Sequence, residues 1–404
     1  MKKPLDVIVV GAGLGGLAAA AALLRLGCQV TVLEQASELA EVGAGVQLAP
    51  NAMKVLRALG LEETAIAVGF EPTRHAIRSW KSGRVLAETP YKGPLRAHYG
   101  AGYYGFHRAD LQAVLASAVP SQCLRLGVKC VAVRSEPGHA SVLLDDGTEL
   151  HADAVIGADG IHSAVRDSLF GPESPRFTGN ICWRGLVPTE AMPAGAIAPD
   201  MTVWFGPGAN IVHYYVRGGR LINWVASYEA DDWRSESWKV EGKREELAER
   251  FAAWHPTIRD LLAKSNHYYK WALFDRDPLP QWSSGAATLM GDAAHPMLPY
   301  LAQGACMAIE DGYAVAAALA GPDAAANDIA QALRAYEDAR RGRTARVQLL
   351  ARSRALENHL ASPLHILKRD LGYAWRRLRS PSRHTYGIEW IYGHDVTATR
   401  ETTL

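Results

Sequence analysis

The spacing of apolar residues near the amino terminus predicts a strand, a tight turn, a helix and a second strand. Asp6–Val10 is a short apolar run rich in β-branched residues, and a glycine-containing turn and an Ala/Leu run to Leu26 follow it. A second apolar run covers residues 30–33. Short β-branched runs are typical of strands, whereas a long run of Ala and Leu is typical of a buried helix. The pattern therefore predicts a βαβ unit.

The middle of the chain follows a different pattern, in which aromatic and β-branched residues alternate with polar ones between Gly and Pro breaks. This pattern covers about residues 71–104 and about residues 176–282, and it predicts an antiparallel sheet. Tryptophan is frequent in the second stretch, at Trp183, Trp204, Trp224, Trp233, Trp238, Trp254 and Trp271. We expect most of these rings in a core that faces helices, and the alternative is a sheet that forms one wall of an aromatic-binding cavity.

Patterns of the first kind return between and after these stretches. Residues 107–118 read as a helix, residues 154–157 as a buried strand and residues 288–290 as a short strand. The first domain is therefore expected to be discontinuous in sequence. From Asp323 onward helical periodicity dominates, and the arginine-rich runs 340–354 and 376–383 are expected to be solvated helix surface.

Three glycines, Gly11, Gly13 and Gly16, form a GxGxxG turn directly after the first predicted strand. Gly11 lets the chain turn sharply, Gly13 lets the backbone approach a pyrophosphate, and Gly16 lets the helix pack closely on the strand. The helix amino terminus then offers N–H groups and the positive end of its dipole to the phosphates. Glu34 ends the second strand, near the spacing at which a carboxylate contacts a ribose. These residues predict a dinucleotide site that is compatible with NAD or FAD.

Composition and charge narrow the class of protein. The 404 residues are 48% hydrophobic and 21% charged, which excludes a disordered, collagen-like or coiled-coil chain. The formal net charge of +1 gives no overall field that would attract nucleic acid or an anionic membrane. Residues 7–24 follow two lysines and resemble a signal peptide or a short membrane span. Their Gly and Ala content and their glycine spacing favour the phosphate-binding turn instead.

The cysteines indicate the compartment. There are five, far apart and without a CxxC pair, at Cys28, Cys123, Cys130, Cys182 and Cys306. This odd number and spacing fit neither a disulfide framework nor a zinc site. A reducing compartment, and hence a cytoplasmic location, is expected, and no metal site is expected.

Two further segments carry a family resemblance together with the glycine turn. Residues 155–166 read VIGADGIHSAVR, and residues 289–304 read LMGDAAHPMLPYLAQG. In this order the three motifs resemble the fingerprints of the single-component FAD-dependent aromatic hydroxylases. Over the whole chain the resemblance is greatest to salicylate hydroxylase, 3-hydroxybenzoate 6-hydroxylase and 6-hydroxynicotinate 3-monooxygenase.

The resemblance implies an α/β fold with three parts. A discontinuous, Rossmann-like FAD-binding domain is expected over residues 1–70, 101–175 and 286–345. A substrate domain built on an antiparallel sheet is expected over residues 71–100 and 176–285, and a C-terminal helical segment over residues 346–404. No second GxGxxG turn occurs, so NADH or NADPH is expected to bind transiently as a co-substrate.

The resemblance also assigns candidate residues to the FAD site. Asp292 is implied to bind the ribityl chain, and N–H groups near Gly304 and Ala305 are implied to face the flavin pyrimidine edge. For Asp292 a simple helix cap is the alternative, and for Arg108 an ordinary surface arginine. The full set of FAD candidates is Gly11, Gly13, Gly16, Glu34, Gln35, Val46, Arg108, Asp159, Asp292, Gly304 and Ala305.

The implied reaction passes through a flavin C4a-hydroperoxide that hydroxylates an activated aromatic ring. The protein must then exclude water and help to ionise the substrate phenol. Tyr214 and His213 are the candidate bases, and because side chains alternate along a strand they cannot both face the flavin. Relatives carry a histidine where this sequence has Asn210. Tyr214 is favoured over His213, with water as a further possibility.

Other residues complete the predicted pocket. Gln47 lies in a loop that passes beside the flavin in the family, and its amide can orient a ligand but cannot take a proton at neutral pH. The implied substrate contacts are Arg184, which would pair with a carboxylate, and the pocket walls Pro299, Tyr300 and Gln303. A small phenolic acid of the salicylate, hydroxybenzoate or hydroxynicotinate type is the expected substrate, with O2 as the oxidant.

Other functions remain open at this point. The same fold could hydroxylate or epoxidise a non-acidic aromatic, a heterocycle or an alkene. An NAD(P)-dependent dehydrogenase without a flavin and a membrane-associated protein without enzymatic activity are alternatives from other classes. No nucleic-acid partner and no stable membrane insertion are expected, and similar enzymes are often homodimers.

Overall fold

The computed structural model describes residues 3–39, 44–230, 241–321, 328–379 and 387–398. In these ranges the strands are β1 (Asp6–Val10), β2 (Gln29–Glu34), β3 (Gly45–Leu48), β4 (Arg74–Ser79), β5 (Val85–Pro90), β6 (Tyr104–His107), β7 (Leu124–Leu126), β8 (Cys130–Glu136), β9 (His139–Leu144), β10 (Glu149–Ala152), β11 (Ala154–Gly157), β12 (Arg176–Pro188), β13 (Met201–Gly206), β14 (Ala209–Val216), β15 (Leu221–Glu229), β16 (Tyr269–Asp275), β17 (Ser283–Ser284) and β18 (Ala287–Leu289).

The helices lie between and after these strands. They are α1 (Leu14–Arg25), α2 (Pro50–Ala58), α3 (Glu62–Val68), α4 (Pro94–Tyr99), α5 (Arg108–Ala116), α6 (Ala164–Phe170), α7 (Arg244–Arg250), α8 (Pro256–Ala263), α9 (Gly304–Ala320), α10 (Ile329–Asn358), α11 (Pro363–Arg379) and α12 (Glu389–Tyr392). Short 3₁₀ helices occur at Ser121–Cys123, Thr189–Ala191, Arg217–Gly219, Gly291–Ala293 and Pro299–Leu301. Among the described residues, none of the helices combines the length and apolar character that crossing a bilayer requires.

The first sheet has six strands in the order β17-β18-β11-β1-β2-β7. All of its neighbouring pairs are parallel except β17 with β18. Residues 7–10 of β1 are buried, as expected for a parallel strand that is covered on both faces. Helix α1 packs against α9 beside this sheet. The predicted strand, turn, helix and strand are confirmed as β1, α1 and β2.

The second sheet has seven strands in the order β16-β12-β15-β14-β13-β4-β5. It was expected to be antiparallel, but β13 pairs with β4 in parallel, so the sheet is mixed. Trp183, Trp204 and Trp224 are buried in one core with residues of α7 and α8. The prediction of a tryptophan core that faces helices is confirmed for these three rings, whereas Trp233 and Trp238 lie outside the described residues.

The prediction of a solvated arginine surface over residues 340–354 is wrong for Arg340. Its side chain is 1% exposed and donates hydrogen bonds to Glu310 and Asp311 of α9. A long helix that packs on α9 buries one of its faces, and a guanidinium on that face needs anionic partners. The second run, 376–383, lies outside the residues whose side chains the structure describes. The α/β fold class is confirmed, and the three domain boundaries stay predictions.

Candidate active site

A cavity of about 770 Å³ lies between the carboxyl ends of β1 and β2 and one face of the seven-stranded sheet. What we call its nucleotide end is lined by loops of the first sheet, through Gly11, Gly13, Gly16, Glu34, Gln35, Arg108, Asp159 and Asp292. What we call its aromatic end is lined by strands of the second sheet, through His75, Ile77, Thr89, Met201, Val203, Phe205, Asn210, Val212, Tyr214, Val225 and Ser227. All eleven FAD candidates therefore lie on one cavity, because Val46, Gly304 and Ala305 line it as well.

The glycines of the first turn have different surroundings. Gly11 has a φ of +106°, and a Cβ built on it would lie 2.4 Å from the carbonyl oxygen of Ala158. A Cβ on Gly16 would lie 2.0 Å from the carbonyl oxygen of Gly11. A Cβ on Gly13 would meet no protein atom within 4 Å. Gly11 and Gly16 are thus required by the packing of the protein, whereas the open space at Gly13 suits the close approach of a ligand.

Glu34 stands at the carboxyl end of β2, beside this turn. Its two carboxylate oxygens accept hydrogen bonds from the backbone N–H groups of Ala12 and Ala36, both at 2.9 Å. These bonds fix the carboxylate at the cavity wall, next to Gln35. A carboxylate at this place fits a ribose hydroxyl, as the sequence predicts.

Asp292 and the first turn of α9 come from the third motif. The Asp292 side chain opens onto the cavity within the protein, and desolvation raises the pKa of its carboxyl while nearby His295 and Arg108 lower it. Gly304 and Ala305 begin a helix of 17 residues with no acidic residue in its first turn. Its first N–H groups have no acceptor within the helix, so they attract an anionic ligand edge.

Asp159 is held by its own segment. Its carboxylate accepts hydrogen bonds from Ser163 Oγ at 2.5 Å and from the N–H of Val165 at 3.1 Å. Burial nevertheless raises the pKa of Asp159. Arg166 lies on the following helix, α6. Its side chain is buried and donates to the carbonyl oxygens of Ile161 and Ala293. Arg166 therefore links the second motif, residues 155–166, to the third motif, residues 289–304, by a hydrogen bond.

At the aromatic end, strand β14 divides its side chains between two faces. Asn210, Val212 and Tyr214 line the cavity, whereas His213 does not. Nε2 of His213 accepts a hydrogen bond from Trp204 at 3.0 Å, and burial lowers the pKa of His213 to about 3. The alternation predicted for this strand is therefore observed. The candidate base His213 is corrected, because its ring belongs to the tryptophan core on the opposite face.

Tyr214, Gln47 and Tyr103 form a hydrogen-bonded group. The Tyr103 hydroxyl donates to Oε1 of Gln47. Burial raises the pKa of the Tyr214 hydroxyl, and a hydrogen bond from Gln47 opposes this shift. Tyr214 is consequently protonated at neutral pH, and Gln47 directs it as a donor rather than as a base. Tyr103 was not among the predicted site residues, because it stands in a Gly/Tyr-rich segment without a motif.

Three of the four predicted substrate contacts line the cavity, and the fourth does not. Pro299, Tyr300 and Gln303 line the cavity. Arg184 does not, because its guanidinium packs 4.9 Å from the ring centre of Trp271 and is held within the protein. The prediction that Arg184 pairs with a substrate carboxylate is therefore corrected. At the aromatic end, Arg354 of α10 lines the cavity.

His359, the residue after α10, contacts two side chains that line the cavity. His359 lies 2.8 Å from Oδ1 of Asn210 through its Nε2, and its ring meets Tyr300 edge to face. Burial lowers the pKa of His359 to about 4. Asn210 is thus bonded to a histidine that lies 149 residues later in the chain. No local pattern in the sequence signals this contact.

Comparison with known proteins identifies the family. A family model described as the FAD binding domain matches residues 4–350. The chain belongs to this family. It is 39% identical over 393 residues to a 3-amino-4-hydroxybenzoate 2-monooxygenase of Streptomyces platensis, covering 96% of both chains. It is 39% identical over 353 residues to a 6-hydroxynicotinate 3-monooxygenase of Pseudomonas fluorescens, covering 87% of this chain and 91% of that one.

A solved structure extends the likeness to three dimensions. A salicylate hydroxylase in a substrate complex superposes with a TM-score of 0.81 at 29% identity, covering 98% of this chain and 97% of that chain. The resemblance to the single-component aromatic hydroxylases is therefore confirmed. This flavoprotein binds FAD and is an FAD-dependent monooxygenase, and the open space at Gly13 and the cavity-facing Asp292 fit that cofactor.

Proposed function

We propose that this flavoprotein hydroxylates a small phenolic aromatic acid in a reaction that consumes NADH or NADPH and O2. The relatives named above act on an aminohydroxybenzoate and on a hydroxynicotinate, which are both one-ring phenolic acids. FAD, when bound, supplies the reduction of oxygen and the transfer of one oxygen atom. The protein's residues must hold the ring, its acid group and its hydroxyl, and must keep water out.

One observation carries the choice of an aromatic ring. Ile77, Val203, Val212 and Val225 are consecutive cross-strand neighbours and form one apolar row across β4, β13, β14 and β15. Neighbouring strands lie about 4.8 Å apart, so the row is about 14 Å long. An apolar row of this length can accept the face of an aromatic ring. Polar residues flank the row on β14, with Asn210 on one side of Val212 and Tyr214 on the other.

Arg354 supports an acidic substrate. It is a cationic group on the lining of the aromatic end, and its Nη1 donates to Glu357 at 2.6 Å. A guanidinium can bind a carboxylate through two parallel N–H···O hydrogen bonds. His75 lies near Arg354, and burial and this arginine lower the pKa of His75 to about 4. A neutral His75 adds no second positive charge beside Arg354, so the arginine is the cationic group in this part of the aromatic end.

We infer that no side chain of the protein accepts the proton of the phenol. Tyr214 carries its own proton at neutral pH, so it stabilises the ionised phenol as a hydrogen-bond donor. The proton then passes to water that exchanges with the cavity. This role for Tyr214 replaces that of proton acceptor.

The test is the oxidation of NADH and of NADPH by the purified flavoprotein with a panel of ligands. The panel contains salicylate, 3- and 4-hydroxybenzoate, 3-amino-4-hydroxybenzoate and 6-hydroxynicotinate, and both hydrogen peroxide and hydroxylated product are measured. We expect at least one ligand to stimulate oxidation with product in excess of peroxide. Stimulation with peroxide alone identifies an effector, and no stimulation by any of the acids contradicts the proposed substrate class. A homodimer and a cytoplasmic location stay predictions.

A further inference from the structure

Three buried side chains form a chain of hydrogen bonds that ends at the cavity. Glu310 of α9, Asn51 of α2 and Gln303 before α9 are each at most 1% exposed. Nδ2 of Asn51 donates to Oε1 of Glu310 at 2.5 Å and to Oε1 of Gln303 at 3.1 Å. Gln303 lines the cavity, whereas Asn51 and Glu310 stand behind it.

Glu310 is an anion. Arg343 donates to both of its carboxylate oxygens at 2.9 Å, and Arg340 donates to Oε2 at 2.6 Å. Burial by itself would raise the pKa of Glu310, but Arg340 and Arg343 lower it below its ordinary value. At neutral pH this carboxylate can therefore only accept hydrogen bonds.

The charge of Glu310 decides the orientation of both amides. Asn51 must turn its NH2 group toward a carboxylate that only accepts, and the second hydrogen of that group then points to Gln303. Gln303 must in turn present its oxygen to Asn51. Its NH2 group is the end that remains for another partner.

That end has no acceptor in the protein. Nε2 of Gln303 is buried and makes no hydrogen bond within the described residues. A buried donor without a partner is destabilising, so a group bound in the cavity is the natural acceptor. Tyr214 is a second donor on the same cavity, so an acceptor bound between the two donors would gain from both.

We propose that Asn51 is a positioning residue, which holds the Gln303 amide as a hydrogen-bond donor to the hydroxyl oxygen of the bound aromatic acid and thereby favours the ionised phenol. The proposal rests on the proposed function, since it needs a phenolic ligand. The proposal fixes the polarity of the hydrogen bond between Gln303 and the ligand: Gln303 donates this bond and does not accept it. Donors around one oxygen stabilise its anion and lower its pKa.

The decisive variant is Asn51→Asp, which keeps the shape of the side chain and reverses its polarity. An ionised Asp at this position only accepts, and a protonated one would give its hydrogen to Glu310. In both cases Gln303 would have to donate to it and turn Oε1 to the cavity. The probe is 3-nitro-4-hydroxybenzoate, whose phenolate absorbs visible light, titrated with pH in the oxidised holoenzyme and read as a difference spectrum.

We expect wild type to lower the pKa of the bound probe below that of the free probe. Loss of one hydrogen bond to a charged oxygen corresponds to about one to two pH units, so N51D should raise the bound pKa by that amount. Asn51→Leu, which adds no charge, should give a smaller rise because the amide can then adopt either orientation. The matched control is Asn180→Asp, a buried asparagine that donates to Thr178 and does not line the cavity. It should leave the bound pKa unchanged.

Gln303→Met keeps the test decisive if N51D fails to fold, since it removes the donor without a charge and should also raise the bound pKa. An unchanged bound pKa in Q303M overturns the proposal, as does a rise in Q303M with none in N51D and N51L. A variant that shifts only the flavin spectrum of the ligand-free enzyme would assign the amide to FAD and would also overturn it. A wild-type flavoprotein that binds none of the phenols contradicts the proposed function itself.

Discussion

The two ends of the cavity present different kinds of group to a ligand. At the nucleotide end the ligand-facing groups are largely backbone, namely the turn at Gly13 and the first N–H groups of α9, with Glu34 fixed by two N–H groups. At the aromatic end they are side chains on strands that come from separate parts of the sequence. The nucleotide end also stands on buried ion pairs of α9, whereas the aromatic end rests on an apolar row.

This difference indicates which end of the cavity is set by the path of the backbone and which end a single substitution can change. A backbone site depends on the chain path, so one packing requirement, such as the contact between Gly16 and Gly11, holds it in place. A side-chain site on a sheet can change ligand through one substitution at a position that keeps its direction. Asn210, Val212 and Tyr214 are such positions, because all three side chains face the cavity from one strand.

The largest effect is expected from two glycines in the same turn. Gly16→Val places a Cβ 2.0 Å from a backbone oxygen, so we expect no folded protein. Gly13→Val meets no protein atom, and the extended backbone at Gly13 (φ −69°, ψ 179°) accepts valine. Its side chain would occupy the space of the pyrophosphate, so FAD retention should fall by about tenfold or more in a folded protein. Flavin content and thermal unfolding measure both outcomes.

Normal flavin content in Gly13→Val would contradict the assignment of the turn to FAD. A folded, yellow Gly16→Val protein would show that the close contact is not required. Either result would remove the contrast between the two glycines, since it depends on one of them serving the ligand and the other serving the protein.

The same division explains what could be predicted from the sequence. The glycine turn, Glu34 and Asp292 are local motifs, and local chain geometry places them on the cavity. The faces of β14 were also predictable, since the alternation along one strand is local. Tyr103, Arg354 and His359 were not predictable, because their places depend on contacts between segments that are distant in sequence. Tyr103 bonds Gln47, 56 residues earlier, and His359 bonds Asn210, 149 residues earlier. Arg340 was misplaced for the same reason, because its partners are on another helix.

A second prediction concerns the ion pairs under α9. Asp311 bonds His295 at 2.5 Å and Arg340 at 2.7 Å in a fully buried place. Although burial alone would raise it, the pKa of Asp311 is lowered from 3.8 to about 2 by His295 and Arg340. Removing one partner of a buried pair costs about 3 to 5 kcal/mol, so Asp311→Asn should lose that much unfolding free energy at pH 7.

The pH dependence of this effect has a definite sign. A lowered pKa in the folded state means that the ionised Asp311 stabilises the protein above pH 4. Its contribution is lost as the pH falls from about 4 to about 2. Urea unfolding of wild type and Asp311→Asn should therefore give a difference that is constant near neutral pH and narrows in this window. A difference that does not change with pH would show that Asp311 is not ionised in the folded protein.

The smallest of these effects is expected at the aromatic end, from Tyr214→Phe. It removes one hydroxyl that donates into the cavity and leaves the ring, so FAD should be retained and NAD(P)H oxidation should continue. Loss of one donor to an anionic oxygen should lower the yield of hydroxylated product by about tenfold, with the missing product recovered as hydrogen peroxide. Tyr215→Phe is the matched control, since Tyr215 lies next in the chain, faces away from the cavity and donates to the carbonyl oxygen of Ile197. Equal losses in the two variants would mean that the cavity face of β14 has no special role, whereas a loss in Tyr214→Phe alone would place the ionised hydroxyl of the substrate at this end of the cavity.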